Sequence, residues 1–119
     1  MATLSFKDLI VWQKSMVLTE LVYAISRKLP LEERYGLVSQ IQRCAVSIPS
    51  NIAEGNKRST AKDYVQFLRM ASGSAAELET QLILIHRIHK ADVQKELAIL
   101  IEIQKMLESM KKKLLSPAD

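Results

Sequence analysis

Little in this chain would bend it, staple it or stack on a partner. Among its 119 residues are three glycines, three prolines, one cysteine, one tryptophan, three tyrosines and two phenylalanines. A lone cysteine, Cys44, cannot close a disulfide within the chain, which fits a reducing cytoplasm. So few glycines and prolines leave too few turn formers for a turn-rich β architecture and favour helix throughout. Gly36, Gly55 and Gly73 are too dispersed for a phosphate loop. No apolar run approaches the ~20 residues that would span a bilayer. No basic stretch leads into a long apolar run near the start, so no secretory signal is expected. HExxH and GxSxG signatures are missing as well, and an enzyme is not expected.

Leu, Ile, Ala, Glu, Lys and Gln dominate instead, with 48% hydrophobic and 25% charged residues. The length suits one domain, residues 1–119, large enough to bury a core without a metal or disulfide staple. Four helical stretches follow one another. The first is expected from about Phe6 to Lys28, with Ser5 as N-cap, Asp8 at capping-box spacing and Pro30 as the stop. It carries more apolar residues than one buried face needs, so a second face calls for cover, for example by another subunit. The second is expected from about Arg34 to Glu54, with Leu37, Ile41, Ala45, Ile48 and Ile52 on one side and Gly55 just past its end. Pro49 lies inside it and predicts a kink.

The third helix is expected to start near Thr60, with a core stripe of Tyr64, Leu68, Ala71, Ala75, Leu78, Leu82 and Ile85. Gly73 lies among small residues at its centre, which suggests close approach of a neighbouring backbone. The fourth runs from Asp92 to about Leu115, its inner side marked by Val93, Leu97, Leu100, Ile101, Gln104, Leu107 and Leu114. Pro117 and the residues after it are expected to fray. Short connections join antiparallel neighbours, so the expected fold is all-α, an up-down-up-down four-helix bundle.

Two polar features stand out. Beside the apolar side of the second helix runs a band of Gln40, Arg43, Ser47, Asn51 and Glu54. It is either a solvated face or, with Ser72 and Glu79 of the third helix, a hydrogen-bonded network that pairs Arg43 with Glu79. The second feature is charge. The net charge is +4. Alternating helices would gather Lys7, Lys57, Arg58, Lys62, Lys111, Lys112 and Lys113 at one end against only Asp8, Glu54 and Asp63. That end is either a solvated lysine surface or a phosphate-binding site; with few aromatics near it, base stacking is not indicated. His86 and His89 are three residues apart. Their place near a helix C-terminus explains them better than a metal does, and no paired Glu-x-x-His motif supports a di-iron centre. Cys44 reads as a buried, inert thiol.

The segments FKDLIVWQKS (residues 6–15), LEERYGLVSQIQRCAVSIPSNIAEG (31–55), the turn from Arg58 to Asp63 and FLRMASGSAAELETQL (67–82) carry a family likeness. The chain resembles the small bacterial four-helix-bundle proteins encoded in intervening sequences of 23S ribosomal RNA genes, over residues 6–112. The resemblance implies a homo-oligomer, commonly a pentameric ring. It also implies a relation to the accessory proteins of diversity-generating retroelements, basic pentameric barrels that bind nucleic acid and a reverse transcriptase. It supplies no catalytic residues. Gln40, Arg43, Ser47, Pro49, Asn51, Glu54, Gly55, Ser72, Gly73 and Glu79 carry over as signature positions without a role.

The expectation is therefore a non-enzymatic homo-oligomeric bundle, cytoplasmic and needing no cofactor. It would bind RNA or DNA phosphates through Lys57, Arg58, Lys62, Lys111, Lys112 and Lys113. The rival reading is an oligomeric scaffold for a partner protein. A third reading, an enzyme, would need a hollow lined by Arg43, Asn51 and Glu79.

Overall fold

The computed structural model describes residues 5–117; residues 1–4 and 118–119, the latter part of the expected frayed tail, lie outside the described residues. The chain adopts the all-α four-helix bundle expected of it. The helices are α1 Ile10–Ser26, α2 Leu37–Asn56, α3 Ala61–His89 and α4 Gln94–Leu115. Short 3-10 turns at Phe6–Asp8 and Leu31–Glu33 precede α1 and α2. Each of α1 and α3 packs against both α2 and α4, while α1 and α3 do not meet, nor do α2 and α4. The helices therefore occupy the corners of a square, in a body measuring 52 × 21 × 21 Å.

Hydrogen bonds fix how these corners run. Between α2 and α3, Gln40 meets Gln81, Ser47 meets Ser74 and Asn56 meets Tyr64. Between α3 and α4, Glu79 meets Gln104 and Ser72 meets Lys111. Numbers rise on one helix as they fall on its neighbour, so both pairs run in opposite directions.

The core follows the apolar stripes of α2 and α3 closely. Ile41, Ala45, Ile48 and Ile52 are fully buried, as are Leu68, Ala71, Ala75, Leu78, Leu82 and Ile85. α1 contributes Val11, Leu18, Val22 and Ile25. α4 differs from expectation. Its buried side is Leu100, Ile103 and Leu107, whereas Ile101 is exposed and Gln104 lies half-buried against α3.

Several boundaries also differ, each for a local reason. Ser5 does cap, and its reciprocal bond with Asp8 is present, but the box closes only a single 3-10 turn. The backbone extends at Leu9 before α1 begins. Gln13 then donates to the Lys7 carbonyl at 2.9 Å, which this break leaves without a helical partner. α2 starts three residues later than expected, because the chain departs from helical angles at Gly36. It then runs through Gly55 rather than stopping before it. Gly55 is buried where α2 meets α3: a Cβ there would lie 2.8 Å from Phe67 Cβ and 2.9 Å from Tyr64 Cδ1. Gly73 is the opposite case. The expected close approach is absent, for Gly73 faces outward and a Cβ added there would meet nothing within 4 Å. Ala71 and Ala75, not Gly73, make the close contact inside.

Pro49 sits within an unbroken α2. It has no N–H, so the carbonyl four residues back, at Ala45, loses its ordinary donor. The Thr19 hydroxyl of α1 supplies one at 3.2 Å, sharing its proton with the Ser15 carbonyl at 2.8 Å. The proline is thereby tied to the α1–α2 contact.

Candidate phosphate-binding end and polar seams

α2 ends in a tight turn in which the Lys57 and Arg58 amides donate to the Glu54 and Gly55 carbonyls. Thr60 then starts α3, its hydroxyl accepting from the Asp63 amide at 3.1 Å. Aromatic side chains brace this turn. The Arg58 guanidinium lies 4.5 Å from the Phe67 ring centre and pairs with Glu54 at 2.8 Å. The Lys57 ammonium lies 5.9 Å from the Phe6 ring, which packs edge-on against Trp12. Asn56 donates to the Tyr64 hydroxyl at 3.3 Å. The scarcity of aromatics read from sequence is therefore corrected: Phe6, Tyr64 and Phe67 surround the turn, brought in by the 3-10 turn and the first coils of α3. Lys57 and Lys62 are exposed and make no ion pair among the described residues.

The α4 lysines do not join this turn. Register with α3 sets Lys111 beside Ser72, so Lys113 stands level with residue 70, eight residues short of Lys62. Eight helical residues span ~12 Å. The six candidate phosphate ligands thus form two groups, Lys57, Arg58 and Lys62 at the turn and Lys111, Lys112 and Lys113 along the bundle. Lys111 is further committed, its ammonium 3.0 Å from Ser72 Oγ and 2.6 Å from Glu108. Lys112 and Lys113 are exposed.

The polar band likewise divides. Arg43 and Glu79 are not paired: Arg43 reaches Ser39 at 3.4 Å, and Glu79 accepts from Gln104 of α4 at 3.0 Å. At 100° per residue, Ser72 and Glu79 leave the α3 core stripe on one side, and Ser74 and Gln81 on the other. Glu79 therefore cannot face α2. The α2–α3 seam is built by Ser47 with Ser74 at 2.8 Å, Asn51 on Ser47, and Gln81 donating to Gln40 at 3.2 Å. The α3–α4 seam is Glu79–Gln104 and Ser72–Lys111. Sequence reasoning missed Ser74, Gln81 and Gln104; their offset from the core stripe was the available signal.

A family model described as 23S rRNA-intervening sequence protein matches residues 7–111. The chain belongs to this family. A crystal structure at 1.70 Å of a protein of unknown function from the S23 ribosomal protein family of Bacteroides thetaiotaomicron is similar, with a TM-score of 0.76 and 27% identity. The similarity covers 87% of this chain and 99% of that one. No curated protein matches at a significant level.

The remaining polar groups of this family member are spoken for individually. His86 meets the Ala91 carbonyl at 3.0 Å and His89 meets Glu33 at 2.7 Å, so the two histidines serve different partners. Among the described residues, no group of three His, Cys, Asp or Glu is placed to hold a metal ion. The His89 hydrogen bond, followed by that of the Leu37 amide, holds the Glu33 carboxyl below the ordinary range. Burial, helped by the Glu77 charge, pushes the Cys44 thiol up. A hollow does adjoin Arg43, but neither Asn51 nor Glu79 lines it, which removes the enzyme reading in the form it took. Among the described residues no helix is long and apolar enough to cross a membrane.

Proposed function

We propose that the chain is a non-catalytic, homo-oligomeric bundle, pentameric in its assembled form, that binds RNA or DNA phosphates at the α2–α3 turn. The observation that carries this is the exposed pair Lys57 and Lys62 flanking a rigid, aromatic-braced turn, with Arg58 beside them. Lys112 and Lys113 would extend the contact along the bundle. Binding of this kind reads charge and falls steeply with salt.

Assembly is supported by the apolar side chains that α1 and α2 leave outside. Met16 and Val46 are more than 40% exposed, and with Trp12, Pro49 and Ala53 they line an open groove of about 360 Å³. A second copy over this groove would cover the surplus apolar face of α1.

Fluorescence anisotropy with single-stranded RNA, at low and moderate salt, tests the phosphate reading. Lys57→Gln with Lys62→Gln should weaken binding several-fold and lower the salt slope by about 2, one per lost contact. Unchanged affinity and slope would end it. The second reading, a scaffold for a partner protein, rests on the same apolar groove. It predicts a co-purifying protein that resists nuclease and is lost on Val46→Glu.

A further inference from the structure

On the α2–α3 face, about 20 Å along α2 from the turn at 1.5 Å per residue, lies a hollow of about 350 Å³. Its lining includes Tyr35, Ser39, Arg43, Cys44, Glu77 and Gln81. The register of Gln40 with Gln81 and of Ser47 with Ser74 sets Arg43 level with Glu77. Yet these two make no ion pair with each other, and Glu77 has no hydrogen-bond partner among the described residues. A guanidinium and a carboxylate thus face one opening.

Its floor holds an unmet demand. Gln81 is only 7% exposed, and its Oε1 is buried without a hydrogen-bond partner. Leaving such a group unpaired is costly, ~1–3 kcal/mol. Turning the Gln81 and Gln40 amides over together would exchange an orphaned acceptor for an orphaned donor and leave the deficit in place. At the mouth, Tyr35 is 88% exposed, with the Arg34 guanidinium 5.9 Å from its ring centre. A large aromatic ring this exposed offers a stacking face.

The occupant must offer paired acceptors to Arg43, paired N–H donors to Glu77, a further N–H to Gln81 and a flat face to Tyr35. Guanine meets all four demands. Its O6 and N7 accept from an arginine fork. Its N1–H and amino group form a donor pair suited to a carboxylate, and the second amino hydrogen is left for Gln81 Oε1. Adenine sets a donor beside N7 and cannot give arginine two acceptors. We propose that this hollow binds a guanine base, either in a free nucleotide or unpaired in a single strand. The site goes beyond phosphate binding at the turn and does not depend on it.

Isothermal titration with GMP and AMP, and with uridine decamers carrying one central G or one central A, tests the assignment. GMP, or the G-containing strand, should bind about tenfold tighter than its adenine counterpart. A preference in either arm supports the site and identifies the source of the base. No preference in both arms overturns it. Glu77→Gln, on an exposed position, should leave the thermal midpoint in place and abolish the preference; a retained preference also overturns the site. Strands bound equally and salt-sensitively would sink this site and keep the phosphate reading. GMP preference without strand binding would do the reverse.

Discussion

Pro49 leaves the Ala45 carbonyl in want of a donor, and Thr19 provides it from the next helix. A backbone deficit in α2 is thus met by a side chain of α1. Thr19→Val should cost about 1–2 kcal/mol in urea denaturation. In a Pro49→Ala background residue 49 regains its N–H, so the same substitution should cost less; equal costs would show that the two are uncoupled. Glu33 is the second residue whose chemistry reaches across elements, joining His89 to the start of α2. Its carboxyl is lowered on folding, so its contribution is present above the unfolded value and lost as pH falls through the folded one. Below the ordinary glutamate value of about 4.3, wild type should lose stability with pH more steeply than Glu33→Gln. Thermal melts from pH 6 to pH 3 would reveal parallel curves if the pair is idle.

At the scale of elements, two glycines give opposite forecasts. Gly55→Ala should destabilise by about 1–3 kcal/mol, because Phe67, Tyr64 and the Tyr64 carbonyl leave no room for a methyl group. Gly73→Ala should stabilise by about 0.5–1 kcal/mol, since the site is helical, outward and open. Denaturation midpoints moving in the same direction would contradict that contrast. The same pair shows what is legible in sequence. The stripes of α2 and α3 can be read because apolar and polar residues alternate with helical period. Whether a glycine faces a neighbour or solvent depends on rotation about the axis, and Gly73 lies opposite Ala71 and Ala75. α4 is harder, because Ile101 is as apolar as its neighbours yet turns outward, while Ile103 carries the core. The candidate site departs from expectation differently. Short turns imply neighbouring helix ends, and that rule alone puts Lys111 and Lys57 at one end. The axial offset between α3 and α4 is set by Glu79–Gln104 and Ser72–Lys111, pairs that no single-helix pattern discloses.

For the molecule as a whole, the apolar α1–α2 groove and the lysines of the turn make separate demands. Val46→Glu should reduce the solution mass to that of one chain while the helical circular dichroism stays in place. A mass independent of that charge would locate any subunit contact elsewhere. The unequal lengths of α3 and α4 have a consequence of their own. α4 stops level with residue 68, so residues 61–67 of α3 reach ~10 Å beyond it. The square of helices there loses one corner and becomes a prow built from α2, α3 and the Phe6–Asp8 turn. With fewer neighbours to hold it, that prow should exchange its amide hydrogens sooner than residues 75–85. Whatever ligand settles on it would quiet the part of the protein that opens first.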